Sequence, residues 1–427
     1  MHFYADLRCI VAAVLTFSLN TAQALDFAWS GYGTLGYTRS NQTYPYQRVV
    51  TDRGTFARDT RFGVQLDTKF DPHWSATVQA QISPAADDDN LWTPKLTWAF
   101  ISWRPNNDWL LRLGKLRLPG YLNSENMCVG WTFDYARLPV EMYSISPAVN
   151  FNGISVSKTW GLARGDLNLE LFWGSADSAW RYNLRDGIPG ILEPRVFFVP
   201  LRVEAKGMVL SYREQENLFR LGIYDASAER TDGQEWFKRV ELVTPIPNVS
   251  YYNLSPGSGV PTMTKIDFTV VAFAVDLGLG QGFRLATEYG VRHAQDIQGG
   301  VSVAGGYAAL RRQIGKWTPY LSYAQLRSEA DELARYQNIN RNRVPAWLPG
   351  APLINASQRT AADLFLAYDQ DTWAVGTSYA LTPTSKLKLE WARTHIGAAS
   401  SFVDAPAGGE VSDEDLNLFS LSYNFIF

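Results

Sequence analysis

The last stretch of the chain reads Leu416-Asn417-Leu418-Phe419-Ser420-Leu421-Ser422-Tyr423-Asn424-Phe425-Ile426-Phe427. Successive side chains of a strand point to opposite faces, so Phe419, Leu421, Tyr423, Phe425 and Phe427 share one face while Ser420, Ser422, Asn424 and Ile426 share the other. One face is greasy and the other mostly polar. A soluble sheet could bury such a face, but a chain that stops on alternating aromatics leaves no polar tail to solvate its end.

Working back from this stretch, the same alternation recurs as a repeated unit of strand, short turn, strand and long polar connection. Phe62, Val64 and Leu66 oppose Arg61, Gln65, Asp67 and Lys69; after a turn at Asp71-Pro72-His73, Ala76, Val78 and Ala80 oppose Ser75, Thr77 and Gln79. Further hairpins turn at Pro105-Asn106-Asn107-Asp108, Ala163-Arg164-Gly165-Asp166, Glu214-Gln215-Glu216-Asn217, Gly278-Leu279-Gly280-Gln281-Gly282, near Gly315, and at Thr382-Pro383-Thr384-Ser385. With Phe27 to Thr38 and the final stretch, this predicts about 16 strands of about ten residues, the length a tilted strand needs to cross hydrocarbon. The expected fold is all-β: a transmembrane antiparallel β-barrel with short periplasmic turns and long extracellular loops, oily outside and wet inside.

Composition and address agree. Arg8, the apolar run Cys9 to Leu19 and the small-residue site Ala22-Gln23-Ala24 read as a signal peptide over residues 1–24, leaving residues 25–427 as one barrel. No later apolar run has the length of a membrane helix. The chain is 46% hydrophobic and 14% aromatic with mean hydropathy −0.17, the mixture produced by strands with one lipid face and one wet face. Tryptophans 29, 74, 103, 109, 317, 373 and 391 fall near strand ends, as in an interfacial girdle. A net charge of −3 argues against a nucleic-acid partner. Of the two cysteines, Cys9 lies in the signal, so Cys128 has no partner in the mature chain.

The signal, the rhythm from Phe27 to Phe427 and the terminal Phe together resemble the Gram-negative outer-membrane porins, general or anion-selective. Two shorter segments follow the same order: Leu113-Gly114-Lys115-Leu116-Arg117-Leu118, then Leu138-Pro139-Val140-Glu141-Met142-Tyr143 at the end of a long connection. The resemblance implies that the third long loop, Pro119 to Phe151, folds into the lumen and narrows it. It also implies a homotrimer, contact with outer-membrane lipid and lipopolysaccharide, and recognition of Tyr423, Phe425 and Phe427 by the barrel-assembly machinery.

In such a barrel, selectivity comes from charged groups at the narrowest point. The expected constriction carries Glu125, Asp134, Arg137 and Glu141. Parity places Arg61 and Lys69 on the wet wall, with Arg284 and Glu288. On the fifth strand, Arg112 and the pair Lys115 and Arg117 have opposite parity, so a bulge is expected and one set faces the pore. Gly31-Tyr32-Gly33-Thr34-Leu35-Gly36 matches a dinucleotide fingerprint but lies within a strand. The histidines are scattered, and no serine sits in a nucleophile elbow, so neither metal, cofactor nor enzymatic chemistry is expected. The expected function is diffusion of small hydrophilic solutes. The alternatives are a channel selective for phosphate, sulfate or an organic anion, a lipid-acting enzyme, or an adhesin.

Overall fold

A backbone crossing lipid finds no water for its N–H and C=O groups, so a sheet is stable there only when it closes on itself. In the computed structural model, which describes residues 26–146, 148–253 and 259–427, sixteen antiparallel strands close into one barrel. The first eight are β1 (Asp26–Ser40), β2 (Arg61–Lys69), β3 (Trp74–Pro84), β4 (Trp92–Trp103), β5 (Trp109–Arg117), β6 (Asn150–Gly161), β7 (Asp166–Leu184) and β8 (Arg195–Glu214). The rest are β9 (Asn217–Arg230), β10 (Lys265–Gly280), β11 (Phe283–Ala294), β12 (Val303–Arg312), β13 (Trp317–Ser328), β14 (Tyr368–Thr382), β15 (Ser385–Ser400) and β16 (Glu414–Ile426). The signal-peptide reading concerns residues outside those described.

Closure is made by β1 and β16, paired from Tyr32 opposite Ile426 to Ser40 opposite Leu418. Beyond that ladder Gly31 and Phe427 exchange two backbone hydrogen bonds of 2.9 and 3.0 Å. Glycine is needed here because a Cβ on Gly31 would stand 2.3 Å from the Phe427 ring, and one on Gly33 would stand 2.4 Å from Phe425. The false dinucleotide motif is thus a notch that seats the terminal aromatics. Phe419 and Leu421 point outward, 54% and 51% exposed, while Ser420, Ser422 and Asn424 point inward at 4% or less.

The tryptophans expected in a girdle are exposed on the outer wall, and neighbouring strands stack them: Trp74 lies 5.9 Å from Trp103, and Trp317 lies 4.5 Å from Tyr379. Amphipathic rings at the rims of an apolar belt suit headgroup depth.

Two features exceed the sequence reading. β7 and β8 run well past the ten residues that hydrocarbon requires, and above the belt Arg181 of β7 pairs with Asp89 at 2.8 Å and with Asp404 at 2.6 Å. The connection from β13 to β14, read as polar loop, holds helices α1 (Ala330–Arg341) and α2 (Ala351–Asp363). Arg185, at the top of the β7 hairpin, is fixed to Asp363 of α2 at 2.5 Å.

The interior also departs from expectation. The inward faces of β8 to β13 are largely apolar, with Val199, Leu201, Val203, Tyr224, Phe268, Val270, Val303 and Leu326 all buried. Residues 118–146 enter the barrel and lay Leu118, Tyr121, Phe133, Tyr135, Met142 and Ile145 against that surface. Apolar side chains face inward because the loop covers them, and burial offsets what a wet lumen would charge. Part of the barrel is therefore packed and dry.

Candidate functional site

The inward loop is held by polar side chains that reach from the barrel wall to its backbone. Lys388 of β15 donates to the carbonyls of Gly130 and Tyr135 at 2.6 and 2.8 Å, and its ammonium lies 4.0 Å from the centre of the Phe133 ring. Tyr320 of β13 accepts from the Ala136 N–H at 2.9 Å and donates to Glu390 at 2.6 Å. Arg292 of β11 donates to the Ile145 carbonyl at 2.9 Å, and Arg220 of β9 donates to that of Tyr121. Outside the short helical turns Gly130–Thr132 and Val140–Tyr143, loop carbonyls have no helix or sheet to satisfy them, so these bonds replace water lost on entering the barrel.

Of the residues expected at the constriction, Asp134 meets Lys386 at 3.0 Å, Ser378 at 3.0 Å and Arg311 at 3.8 Å. Burial alone would raise its carboxyl, but Lys386 and Arg311 outweigh it and hold it below the usual carboxylate range. Glu141 is 2% exposed and accepts from Gln370 and Thr372 at 2.7 and 2.6 Å. Arg137 donates to Gln47 at 2.7 Å and approaches Asp59 at 3.8 Å, bridging to the first long loop. Glu125 pairs with Arg112 at 3.3 Å and remains exposed. Asp134, Arg137 and Glu141 thus anchor the loop to its surroundings.

The wall residues divide in the same way. Glu288 faces inward but is sealed at 1% exposure, where it accepts from the Leu122 N–H and the Tyr143 and Tyr307 hydroxyls at 2.9, 2.6 and 2.8 Å. Arg284 pairs with Glu216 at 2.9 Å and Asp276 at 3.1 Å beside the turns, and Lys69 ends β2 on that same rim. On β5, Arg112 stands opposite Ser102 and Ser155, whereas Lys115 shares the parity of the outward Leu113. Arg117 shares that parity too, but lies beyond the β4 ladder at the strand end and turns inward. The irregularity sits on β4, where Thr97 is the extra residue between Leu96 and Trp98, and on β5 at Gly114, whose φ is +135°.

Space lies open between the loop and β2 to β5. A cavity of about 560 Å³ is lined by Arg61, Gln81, Ser83, Lys95, Thr97 and Arg117 of the wall, Arg48 and Arg58 of the first long loop, Asp89 of the second, and Met127 and Cys128 of the inward loop. Five cations face one carboxylate there, and Asp89 is taken up by Arg48 at 2.5 Å and Arg181 at 2.8 Å. Burial lowers Arg58 to about 10, partly offset by Asp59, whose own carboxyl is held down by Arg137, Arg58 and Arg61 against the upward push of burial.

Arg48 and Arg58 sit in a loop with no periodicity, so no sequence pattern marks them, and the place of Lys95 opposite Gln81 on the inner wall is set by the register of β3 and β4. Cys128 was legible as an unpaired cysteine but not as a residue of this cavity.

A closed barrel with an apolar outer belt and a cation-lined cavity beside an inward loop has the architecture of a transmembrane β-barrel. No family model matches the chain, and no curated protein matches it. Solved structures match by fold: the outer membrane channel DcaP of Acinetobacter baumannii, at 9% identity over 95% of this chain and 99% of that one (TM-score 0.52), and an anion-selective porin from Comamonas acidovorans, at 10% identity over 95% and 100% (TM-score 0.51). The chain has the fold of the Gram-negative outer-membrane porins, and its lipid-facing exterior fits that membrane.

Proposed function

We propose that the protein is a passive diffusion channel for small hydrophilic solutes and that it favours anions. The observation that carries this reading is the clustering of Arg48, Arg58, Arg61, Lys95 and Arg117 on one cavity whose single carboxylate is already paired. Like charges beside a low-dielectric wall focus their field into the open space and concentrate counter-ions there.

Reversal potential in a planar bilayer under a salt gradient tests the reading. Anion preference that weakens as ionic strength rises is expected, because screening shortens the reach of the field. Cation preference overturns the selectivity, and absence of conductance overturns the channel. We further propose assembly as a homotrimer in lipopolysaccharide-containing membrane, with Tyr423, Phe425 and Phe427 read by the barrel-assembly machinery. The notch at Gly31 and Gly33 supports a role for the last residue in closure. Deleting Phe427 should lower barrel yield without altering export, and unchanged yield removes that role.

A further inference from the structure

Cys128 lies on the inward loop, half-buried, on the face turned to the open cavity. A cysteine kept for packing sits among apolar groups, where its thiol stays protonated and inert. Cys128 instead has the Arg117 guanidinium 3.6 Å from its sulfur, with Arg61 and Lys95 on the same cavity. Burial pushes the thiol up, but Arg117 and Arg61 more than offset it and hold it at about 7.

Arg117 supplies a second, independent observation. It is 8% exposed, it lines the cavity, and among the described residues its Nε and Nη2 have no hydrogen-bond partner. A buried guanidinium with open donors is costly unless something occupies them. The planar fork suits a carboxylate, and it sits next to the nucleophile.

We propose that Cys128 is a thiol–disulfide exchange site for small carboxylate-bearing disulfides, with Arg117 holding the carboxylate, and that the resulting adduct obstructs the passage. The Cys128 thiolate attacks one sulfur, the disulfide's S–S bond breaks, a new S–S bond to Cys128 forms, and the other half leaves as a thiolate. Electrons balance within the exchange, so no further oxidant is consumed. Reduction by a small thiol reverses it. The adduct fills part of the cavity and places negative charge among the cations. Its effect on transport rests on the channel reading above, whereas its formation does not.

The test compares two probes on the purified barrel: dithiobis(nitrobenzoate), which carries two carboxylates, and dithiodipyridine, which carries none. Each rate is divided by that probe's rate with a free small thiol at the same pH. The anionic probe should be favoured by about tenfold or more. Arg117→Met should bring the ratio near one, and Arg117→Lys should retain part of the preference. In planar bilayers the anionic adduct should lower conductance, reductant should restore it, and Cys128→Ser should abolish the response. Equal normalised rates in the unaltered protein overturn the anion-guided site. An adduct that leaves conductance unchanged overturns the obstruction. Failure of the channel reading shows separately as absent conductance in the unmodified protein, because the adduct rates need no membrane.

Discussion

Facing β8 to β13, the inside of the barrel is Val199, Leu201, Phe268, Val270 and Leu326; facing β2 to β5, it is Gln65, Gln79, Gln81, Arg61 and Lys95. Both sectors alternate as strands must, and both turn the other parity to lipid. They differ in what covers them. Residues 118–146 lie against the first sector and exclude water from much of it, while their opposite side leaves the second sector open. The same loop therefore makes one sector a core and leaves a cation-lined cavity in the other, and each sector can be perturbed separately.

The largest expected effect comes from the polar clamp inside the dry sector. Glu288→Leu leaves the Tyr143 and Tyr307 hydroxyls and the Leu122 N–H without their acceptor, at a cost of roughly 3 to 5 kcal/mol in loop attachment. Single-channel recordings should then show larger and noisier conductance. A quiet channel of unaltered size means that Glu288 does not hold the loop.

Phe268→Ala comes next. It removes a ring packed 6.0 Å from Trp180 and lying under Arg292, and should destabilise the barrel by about 3 kcal/mol. The folded form should persist to a lower temperature on semi-native gels, with ion preference unchanged. A change of preference would show that the sectors are not independent.

In the wet sector, replacing Arg61 and Lys95 together by Gln should cut the anion-to-cation permeability ratio by about tenfold while leaving gel stability nearly intact. An unaltered reversal potential removes those two residues from the passage. The smallest effect is expected of Glu141→Gln. The carboxylate is sealed behind the loop by Gln370 and Thr372, so reversal potential should stay within measurement error. A clear shift toward anions would restore Glu141 to the constriction.

Much of the fold was legible because two periods coincide in the chain. Alternation of side chains assigned inner and outer faces on β2, β3 and β16, and the regular exchange of short turns with long connections gave the strand number. The helices α1 and α2 were not legible, because they pack on Arg185 and on neighbouring loops rather than presenting an apolar stripe to a sheet. Parity placed Glu288 and Arg284 on the inner face, but not Lys115, which shares the outward parity of Leu113. Their roles were not, since an inward carboxylate lines water or clamps a loop depending on a segment distant in sequence.

The amino-acid sequence alone determined the strands, their two faces and the closed barrel that such strands must form in lipid, because parity assigns each face and a backbone without water has to satisfy its own hydrogen bonds. Which part of the interior is dry, which cations share the opening, and that Cys128 faces them were decided only by where residues 118–146 come to rest. That position is set by bonds spanning long separations, from Lys388 to Gly130 and from Glu288 to Leu122, and no local pattern encodes them.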